Sequence, residues 1–380
     1  MHSSYIEKQK TQALDQLNKD KHNINNLKVV FAPWFTKENP YQVQLANNLI
    51  SLGVQIEHTN CNTLSLLSTI KQNKADILHL HWLDHFFLLR VGKLKSFFKL
   101  TLFIFQLLIL KLTGTKIIWT VHNIKNHKNK HLELDRLGAI LVSKIADGLI
   151  VHSHTAKDEI IKAFHLRGDE KIFVVPHGNY IDIYENNISQ LEARKKLNIP
   201  ESSLVLLFFG LIHPYKGVIE LSKAFKQLNF EDIRLSIAGK PCNDELAEQI
   251  IKEVKDNEKI IFIPGLVPNE ELQIYMNAAD VVTLPYKQFL TSGAVILAMS
   301  FGKACIAPRK GYISEVLDDR GAFLYDPDCK DGLLEALNSA VQKRENLSQM
   351  GEHNYQLASQ WNWRYVAEQT LNVYQNYLNF

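Results

Sequence analysis

Two kinds of hydrophobic pattern alternate along this chain. Short apolar, mostly β-branched runs fall at 29–32, 54–58, 77–82, 116–122, 148–152 and 171–176. Such runs mark strands buried in a parallel sheet. Between them, 41–52, 133–146 and 155–164 carry apolar positions at helical spacing, the first stopped by Gly53. A second series starts at Ser203, with strand-like runs at 204–209, 234–238, 279–284, 304–307 and 322–325. Strand and helix in alternation predict an α/β protein whose parallel sheets are covered on both faces. The stretch 178–188, GNYIDIYENNI, is polar and irregular. These patterns divide the chain into a polar extension at 1–23, a first domain at 24–183, a linker at 184–189, a second domain at 190–360 and a closing helix at 361–380. That helix carries Trp363, Tyr365, Tyr374 and Tyr377. It has little partner surface of its own and is predicted to pack back on the first domain.

The stretch 284–308 organises the second series. The run 279–284 is closed by Pro285, a loop follows, and Thr291-Ser292-Gly293 opens a helical pattern that stops at Gly302. Ser or Thr at a helix start caps it, and the free N–H groups of the first turn suit an anion. The glycine is expected to let a ligand come close. Strand, helix start, helix, strand is the unit with which open α/β sheets hold nucleotides beyond their strand ends. Capping alone would explain Thr291 and Ser292 equally well.

Composition narrows the classes. A chain of 380 residues, 46% hydrophobic, can bury a large core and is long enough for two domains. A net charge of +3 without a basic or acidic tail argues against nucleic acid as a partner. Cys61, Cys242, Cys305 and Cys329 are far apart, which fits a reducing compartment and neither zinc nor a disulfide framework. The first residues have no apolar h-region, so no secretion signal is expected. The segment 86–113, FFLLRVGKLKSFFKLTLFIFQLLILKLT, is too short in its apolar run to span a bilayer. Its lysines, Lys93, Lys95 and Lys99, beside Phe97, Phe98, Phe103 and Phe105 suit a helix lying on a membrane surface. A core helix between strands is the alternative, and one helix can be both.

The second half resembles the donor half of GT-B glycosyltransferases, nearest to glycosyltransferase family 4. The matching pieces are Phe209-Gly210 with Lys216-Gly217, Ile237-Ala238-Gly239, Gly265-Leu266-Val267, 275–280 (YMNAAD), Pro285 and 298–304 (AMSFGKA). In the first half, Thr120-Val121-His122-Asn123 resembles the family's T-x-H-[DN] turn, and Val175-Pro176-His177-Gly178 its closing strand. The likeness covers roughly 27–351 and implies two Rossmann-like domains facing across a cleft. Two departures stand out. Leu211 sits where family members usually carry Arg, with His213 the nearest polar replacement. Phe289 and Leu297 sit where the family's glutamate pair belongs, which leaves the ribose contact and the sugar preference unassigned.

Sugar transfer from a nucleotide diphosphate needs the leaving diphosphate neutralised, the sugar oriented and the acceptor deprotonated. The expected donor site is Gly210, His213, Lys216, Thr291, Ser292 and Gly293, with Glu315 a candidate ribose partner. The resemblance places His122 and Asn123 beside the donor sugar, and His127 joins them as a catalytic candidate. Candidates for the acceptor's base are His127, Glu133, Asp84, His81 and Glu38. Trp34, Phe35, His81 and Trp82 form the expected acceptor side, with Tyr41 as a further stacking candidate. His79 and His81 alternate, so they share a strand face; a metal pair there has no carboxylate to complete it. Asp318 and Asp319 are adjacent and Asp326-x-Asp328 follows only a late strand, so no metal or other cofactor is expected. The resemblance favours retention over inversion. It implies a UDP- or GDP-sugar donor, a saccharide acceptor and cell-surface polysaccharide synthesis in the cytoplasm; the segment from Lys93 to Lys111 alone motivates a lipid-linked acceptor at the inner membrane face. The rival readings are a nucleotide-sugar 2-epimerase, which would need paired acids and no acceptor, and a non-catalytic nucleotide-sugar or glycan-binding module.

Overall fold

The computed structural model describes residues 26–35, 39–59, 65–88, 92–126 and 131–378; the extension 1–23 lies outside them. The chain forms two compact units, Met1–Pro176 with Trp363–Phe380, and His177–Asn362.

The first unit holds six parallel strands: β1 (Lys28–Ala32), β2 (Gln55–His58), β3 (Ile77–Leu80), β4 (Lys116–Thr120), β5 (Gly148–Val151) and β6 (Ile172–Val174). Their order is β2-β1-β3-β4-β5-β6. The direction of winding reverses between β1 and β3, which pair Phe31 with His79 and Ala32 with Leu80. A reversal leaves the carboxyl ends of the two strands uncovered by a crossover, and side chains leaving them line a crevice. The first residues past β3 are His81 and Trp82.

A polar knot is buried in this otherwise apolar sheet. His79 lies inside β3, fully buried. Its Nδ1 is 2.6 Å from the Tyr374 hydroxyl and its Nε2 is 2.7 Å from Thr120 Oγ1. Both ring nitrogens are satisfied, as burial demands, and the first of these bonds ties the helix Trp363–Gln375 to the sheet. The same helix packs on Tyr41–Ser51, with the Trp363 and Tyr41 rings edge to face at 5.3 Å. Beyond it, the Tyr377 ring covers Gly148 so closely that a Cβ there would stand 2.8 Å from a ring carbon. The return of the closing helix to the first domain is therefore as the aromatic pattern predicted. Tyr41, considered above as a stacking surface for an acceptor, is instead fully buried in this packing.

The second unit holds β7 (Leu204–Phe209), β8 (Ile233–Gly239), β9 (Ile260–Pro264), β10 (Val281–Thr283), β11 (Ala304–Pro308) and β12 (Ala322–Tyr325). Their order is β12-β11-β10-β7-β8-β9, all parallel. Here the reversal falls between β7 and β10. The ends of β7 and β8 touch: a Cβ on Gly239 would lie 1.9 Å from the Gly210 carbonyl oxygen, so only glycine fits.

The domain boundary moves from its expected place. The chain leaves the first unit at Pro176, and the segment read as the end of that domain and the linker belongs to the second. Asn179 donates from its backbone to Trp361 O (2.9 Å) and from its side chain to Ala358 O (2.8 Å). Tyr180 N donates to Ser300 Oγ, and Asn277 Nδ2 reaches Asn186 Oδ1 and Ile188 O. A polar, aperiodic sequence looked like a tether; its amides and carbonyls are committed to one sheet's helices.

Burial lowers the pKa of His79 to about 3, of His177 to about 4, and of His81 well below the ordinary value. Unfolded histidines bind a proton below about pH 6.5, while these stay neutral in the fold. The stability they carry is thus complete above pH 6.5 and lost as pH falls from there towards 3. Urea midpoints should be flat above pH 7 and then drop, at a rate of about 1.4 kcal/mol per pH unit for each such histidine. Midpoints unchanged between pH 7 and 4.5 would contradict this.

Candidate functional site

In the second unit the loop after β7 is folded back on itself by two glycines. Gly210 has φ +113° and Gly217 φ +68°, values open to glycine and strained for other residues. A Cβ on Gly217 would also strike the Pro285 carbonyl oxygen at 2.3 Å. The loop therefore seats directly on the segment that leaves β10, and Lys287 N donates to Tyr215 O across the same seam (2.8 Å). Lys216, in the short turn Pro214–Lys216, is carried into the corner between them. Its Nζ lies 3.8 Å from where a Gly210 Cβ would be and 5.1 Å from the centre of the Tyr286 ring. The Tyr286 hydroxyl lies beside Ser292.

This lysine is a cation without a carboxylate. No ion pair includes it among the described residues, and loss of water lowers its pKa to about 8. An ammonium partly stripped of water with only a ring face beside it carries a cost. An arriving anion offsets that cost. His213 stacks on Tyr215 at 5.4 Å next to it.

The helix Gly293–Ser300 starts as predicted, with Ser292 as its cap, accepting from Val295 N at 3.4 Å. Gly293 needs a different account from the one expected. A Cβ there would meet the Tyr180 hydroxyl at 2.9 Å, with His177 Nε2 4.0 Å away. The close approach that this glycine permits is taken by Tyr180, a residue of the second unit's own entry segment. Thr291 is half-buried beside the cap, and Glu315 is exposed on the helix Gly311–Val316 after β11.

In the first unit, the carboxyl ends of β3 and β4 open on a cavity of about 140 Å³. His81, Trp82, His122 and Asn123 line it, as do Asp84, His85, Asn126 and Asp135. His122 is sandwiched. The Trp82 ring lies parallel to it at 4.5 Å and the Tyr41 ring edge-on at 4.9 Å, while its Nε2 is 3.2 Å from His81 Nδ1. His81 is held in turn by Trp119 Nε1, which donates to its carbonyl (2.9 Å). Its own Nε2 is buried without a hydrogen-bond partner. Asp135 Oδ2 accepts from Asn126 N (2.7 Å) and Nδ2 (2.9 Å). Burial, with the charge of Asp84 adding, raises its pKa against those two bonds.

Of the expected acceptor side, Phe35 joins this group, 5.8 Å from Trp82 and 4.3 Å from His85. Trp34 turns to the outer strand and stacks on His58 at 4.7 Å. Glu133 is corrected: it is exposed on the surface and ion-paired with Lys93 at 2.7 Å. His127 and Glu38 lie outside the described residues. Among the described residues no group of three His, Cys, Asp or Glu is placed to hold a metal ion; His79, one of the suspected pair, is bound to Tyr374 and Thr120. Sequence reasoning missed His85, Asn126 and Asp135. The first sits next to a named carboxylate, but nothing in the spacing of the other two marks them as partners. It also missed Tyr286 and Tyr180, which read as ordinary core aromatics.

Residues 189–357 match the family model Glycosyl transferases group 1. That match spans most of the second unit. The chain is 28% identical over 306 residues to the GDP-mannose:glycolipid 4-beta-D-mannosyltransferase of Xanthomonas campestris pv. campestris, 80% of each chain. It is 30% identical over 251 residues to the lipopolysaccharide 1,2-N-acetylglucosaminetransferase of Salmonella typhimurium, 58% of this chain and 65% of the relative. In structure it is similar to sucrose-phosphate synthase from Thermosynechococcus elongatus, with TM-score 0.73 and 15% identity over 92% of this chain and 99% of that one. It is likewise similar to Anabaena HepE in complex with UDP and glucose, with TM-score 0.71 and 15% identity over 92% and 100%. The GT-B fold and the glycosyltransferase class expected from the sequence are both borne out.

A desolvated lysine serves an anion only while charged. Affinity for a nucleoside diphosphate should be level from pH 7 to about 7.5 and weaken as pH passes 8, because the free lysine then loses its proton. Lys216→Ala should weaken binding ~10- to 100-fold at pH 7, the usual range for a charged hydrogen bond, and abolish that pH dependence. Calorimetry with UDP and GDP measures both; unchanged affinity in the variant would remove Lys216 from the site.

Proposed function

We propose that this chain transfers a sugar from a UDP- or GDP-sugar to a saccharide or lipid-linked saccharide, in the assembly of a cell-surface glycan. The observation that carries the reading is Lys216, a charge without a counter-ion at the strand-order reversal of a glycosyl transferases group 1 domain. It would neutralise the diphosphate as it leaves, so no metal is required in this reading. The acceptor sugar takes the first unit's cavity, with Trp82 and Phe35 as stacking faces. The names of the Xanthomonas and Salmonella relatives, which specify a glycolipid and lipopolysaccharide, support an acceptor of that class.

The helix Lys93–Leu112 supports a membrane-bound acceptor. Its inner face, with Leu100, Phe103, Leu107 and Leu110, is buried. Its outer face exposes Leu94, Phe97, Phe98, Phe105, Leu108 and Leu112. At 3.6 residues per turn these fall within an arc of about 100°. Lys95 and Lys99 flank it on one side and Lys93 and Lys111 on the other. Lys93 and Lys111 are ion-paired with Glu133 and Asp147; Lys95 and Lys99 have no ion pair among the described residues. No helix of the described residues is long and apolar enough to cross a membrane. An apolar stripe edged by cations lies on an anionic bilayer with its axis in the plane. In this reading the first unit rests on the inner face of the membrane.

A thermal-shift panel of UDP- and GDP-sugars tests the donor: the true one raises the melting temperature by mass action, in buffer containing EDTA as in buffer without it. Release of free nucleotide should then require an acceptor. Conversion of the donor with no acceptor present would favour epimerisation instead.

Flotation with vesicles tests the surface helix. The protein should rise with anionic vesicles, and Phe98→Glu with Phe105→Glu should lose most of that binding, at least tenfold. Failure of the unaltered protein to bind either anionic or neutral vesicles would remove the membrane from the reading.

A further inference from the structure

The first unit's cavity sets hydrogen-bonding groups with no protein partner among apolar walls. Its volume of about 140 Å³ is several times the ~30 Å³ that one water occupies in the liquid, on the scale of a single sugar ring. Trp82, Leu83, Trp119 and Ala139 supply apolar wall, and the Phe35 ring stands edge to face with Trp82 at 5.8 Å. The two carboxylates are in unlike states. Asp135 is 8% exposed, and its Oδ2 already takes two N–H groups from Asn126. Asp84, at the start of the short helix Asp84–Phe87, has a side chain 23% exposed. His85 Nδ1 lies 3.2 Å from its Oδ1, but no N–H of the described residues donates a hydrogen bond to that carboxylate. Asn123, half-buried, lines the same cavity. So does His81, which meets His122 through Nδ1 and keeps Nε2 buried without a partner. Buried polar groups are almost always hydrogen-bonded in a native protein. A cavity that leaves such groups open fits a ligand that brings hydroxyls of its own.

We propose that this cavity takes one ring of the acceptor sugar, and that Asp84 sets its selectivity by accepting hydrogen bonds from two adjacent free hydroxyls of that ring. This rests on the sugar-transfer reading above and deepens it. An ionised carboxylate offers two oxygens that only accept, and neighbouring hydroxyls of a pyranose offer two O–H donors side by side. Hydrogen bonds to an ionised acceptor are roughly twice as strong as neutral ones. Asn123, which both donates and accepts, bonds a further ring substituent, and Trp82 and Phe35 cover the ring's C–H face. A ring without one hydroxyl of the pair, or with that hydroxyl substituted, leaves a carboxylate oxygen unpaired in a place partly closed to water. A site built to bond a hydroxyl rejects the analogue lacking it far more strongly than an apolar pocket does. The acceptor class is therefore a sugar with a free vicinal diol, and Asp84 acts on its recognition. Asp135 does not share the task, because its Oδ2 is bonded to Asn126.

The test measures binding to the full chain by saturation-transfer NMR, without donor. The probes are the methyl glycosides of glucose, mannose, galactose and glucuronic acid, each with its monodeoxy analogues; none has a tail for the surface helix to hold. At least one intact glycoside should bind, and removing either of two adjacent hydroxyls should weaken it about tenfold or more. Asp84→Ala should bind the intact glycoside ~10- to 100-fold more weakly, the range for a lost charged hydrogen bond, and no longer distinguish it from those two deoxy analogues. Asp84→Asn, which keeps the shape and one accepting oxygen, should fall between. Both variants should keep the thermal shift given by UDP- or GDP-sugars, which a disturbed fold would not. Binding by Asp84→Ala and Asp84→Asn within about threefold of the unaltered protein, or discrimination against the deoxy analogues that survives in them, overturns the assignment. So does an unaltered protein that responds to a nucleotide sugar and binds none of these glycosides; sugar transfer then still stands. An unaltered protein that responds to no nucleotide sugar overturns the transfer reading, and this assignment with it.

Discussion

A half-buried lysine ammonium with no carboxylate beside it marks the corner of the second unit, and much of the local backbone is shaped to place it there. Gly210 and Gly217 turn the chain through conformations that a Cβ would strain, Gly217 seats against the Pro285 carbonyl, and Gly239 lets β8 close against Gly210. Replacing any of these would strain the corner that positions Lys216. The strand order is what makes a corner available there. Between β7 and β10 the winding reverses, and no crossover covers the strand ends. A charge at that place does little for the fold. It becomes favourable when an anion joins it.

The first unit solves a different problem at its own reversal. Its cavity sets polar side chains among Trp82, Leu83, Trp119 and Ala139, yet it sits on a sheet buried on both faces. The histidines make the transition. His79 is bonded on both nitrogens and anchors the closing helix; His81 stacks on it at 4.5 Å and touches His122, which Trp82 covers. Each ring is packed on the one below it. His79 and His81, which burial keeps neutral, tolerate that place as a row of carboxylates would not, since a buried charge without a partner is expelled by protonation or by unfolding. The carboxylates are accordingly at the rim, and only the one with two N–H donors, Asp135, is buried.

The parts of this molecule legible in the sequence are those set by local pattern. The apolar runs at 204–209 and 304–307 are strands because no charged residue interrupts them. Ser292 caps its helix because a hydroxyl at that position satisfies a first-turn amide. The aromatic spacing of 363–378 required a second surface, and the helix found it on Tyr41–Ser51. Pattern misled where polar residues are spent internally. The stretch 178–188 looked like a tether since its polar groups had no visible partners; Asn179 and Tyr180 find them on helices more than a hundred residues away. Glu133 was a candidate base as one of several titratable side chains; a helix turns it to Lys93 and water.

By itself, the order of apolar and polar residues determined two α/β halves, their strands and helices, and the glycine-marked loops where an anion could be met. Those features depend on neighbours a few positions apart. Which carboxylate is tied up and which is more open, which glycine makes room for Tyr180, and which histidine is anchored by Tyr374 depend on distances between residues far apart in the chain. Only the packed structure sets those distances, because long-range contacts arise from burial of whole faces and leave no periodic trace in the residues that make them.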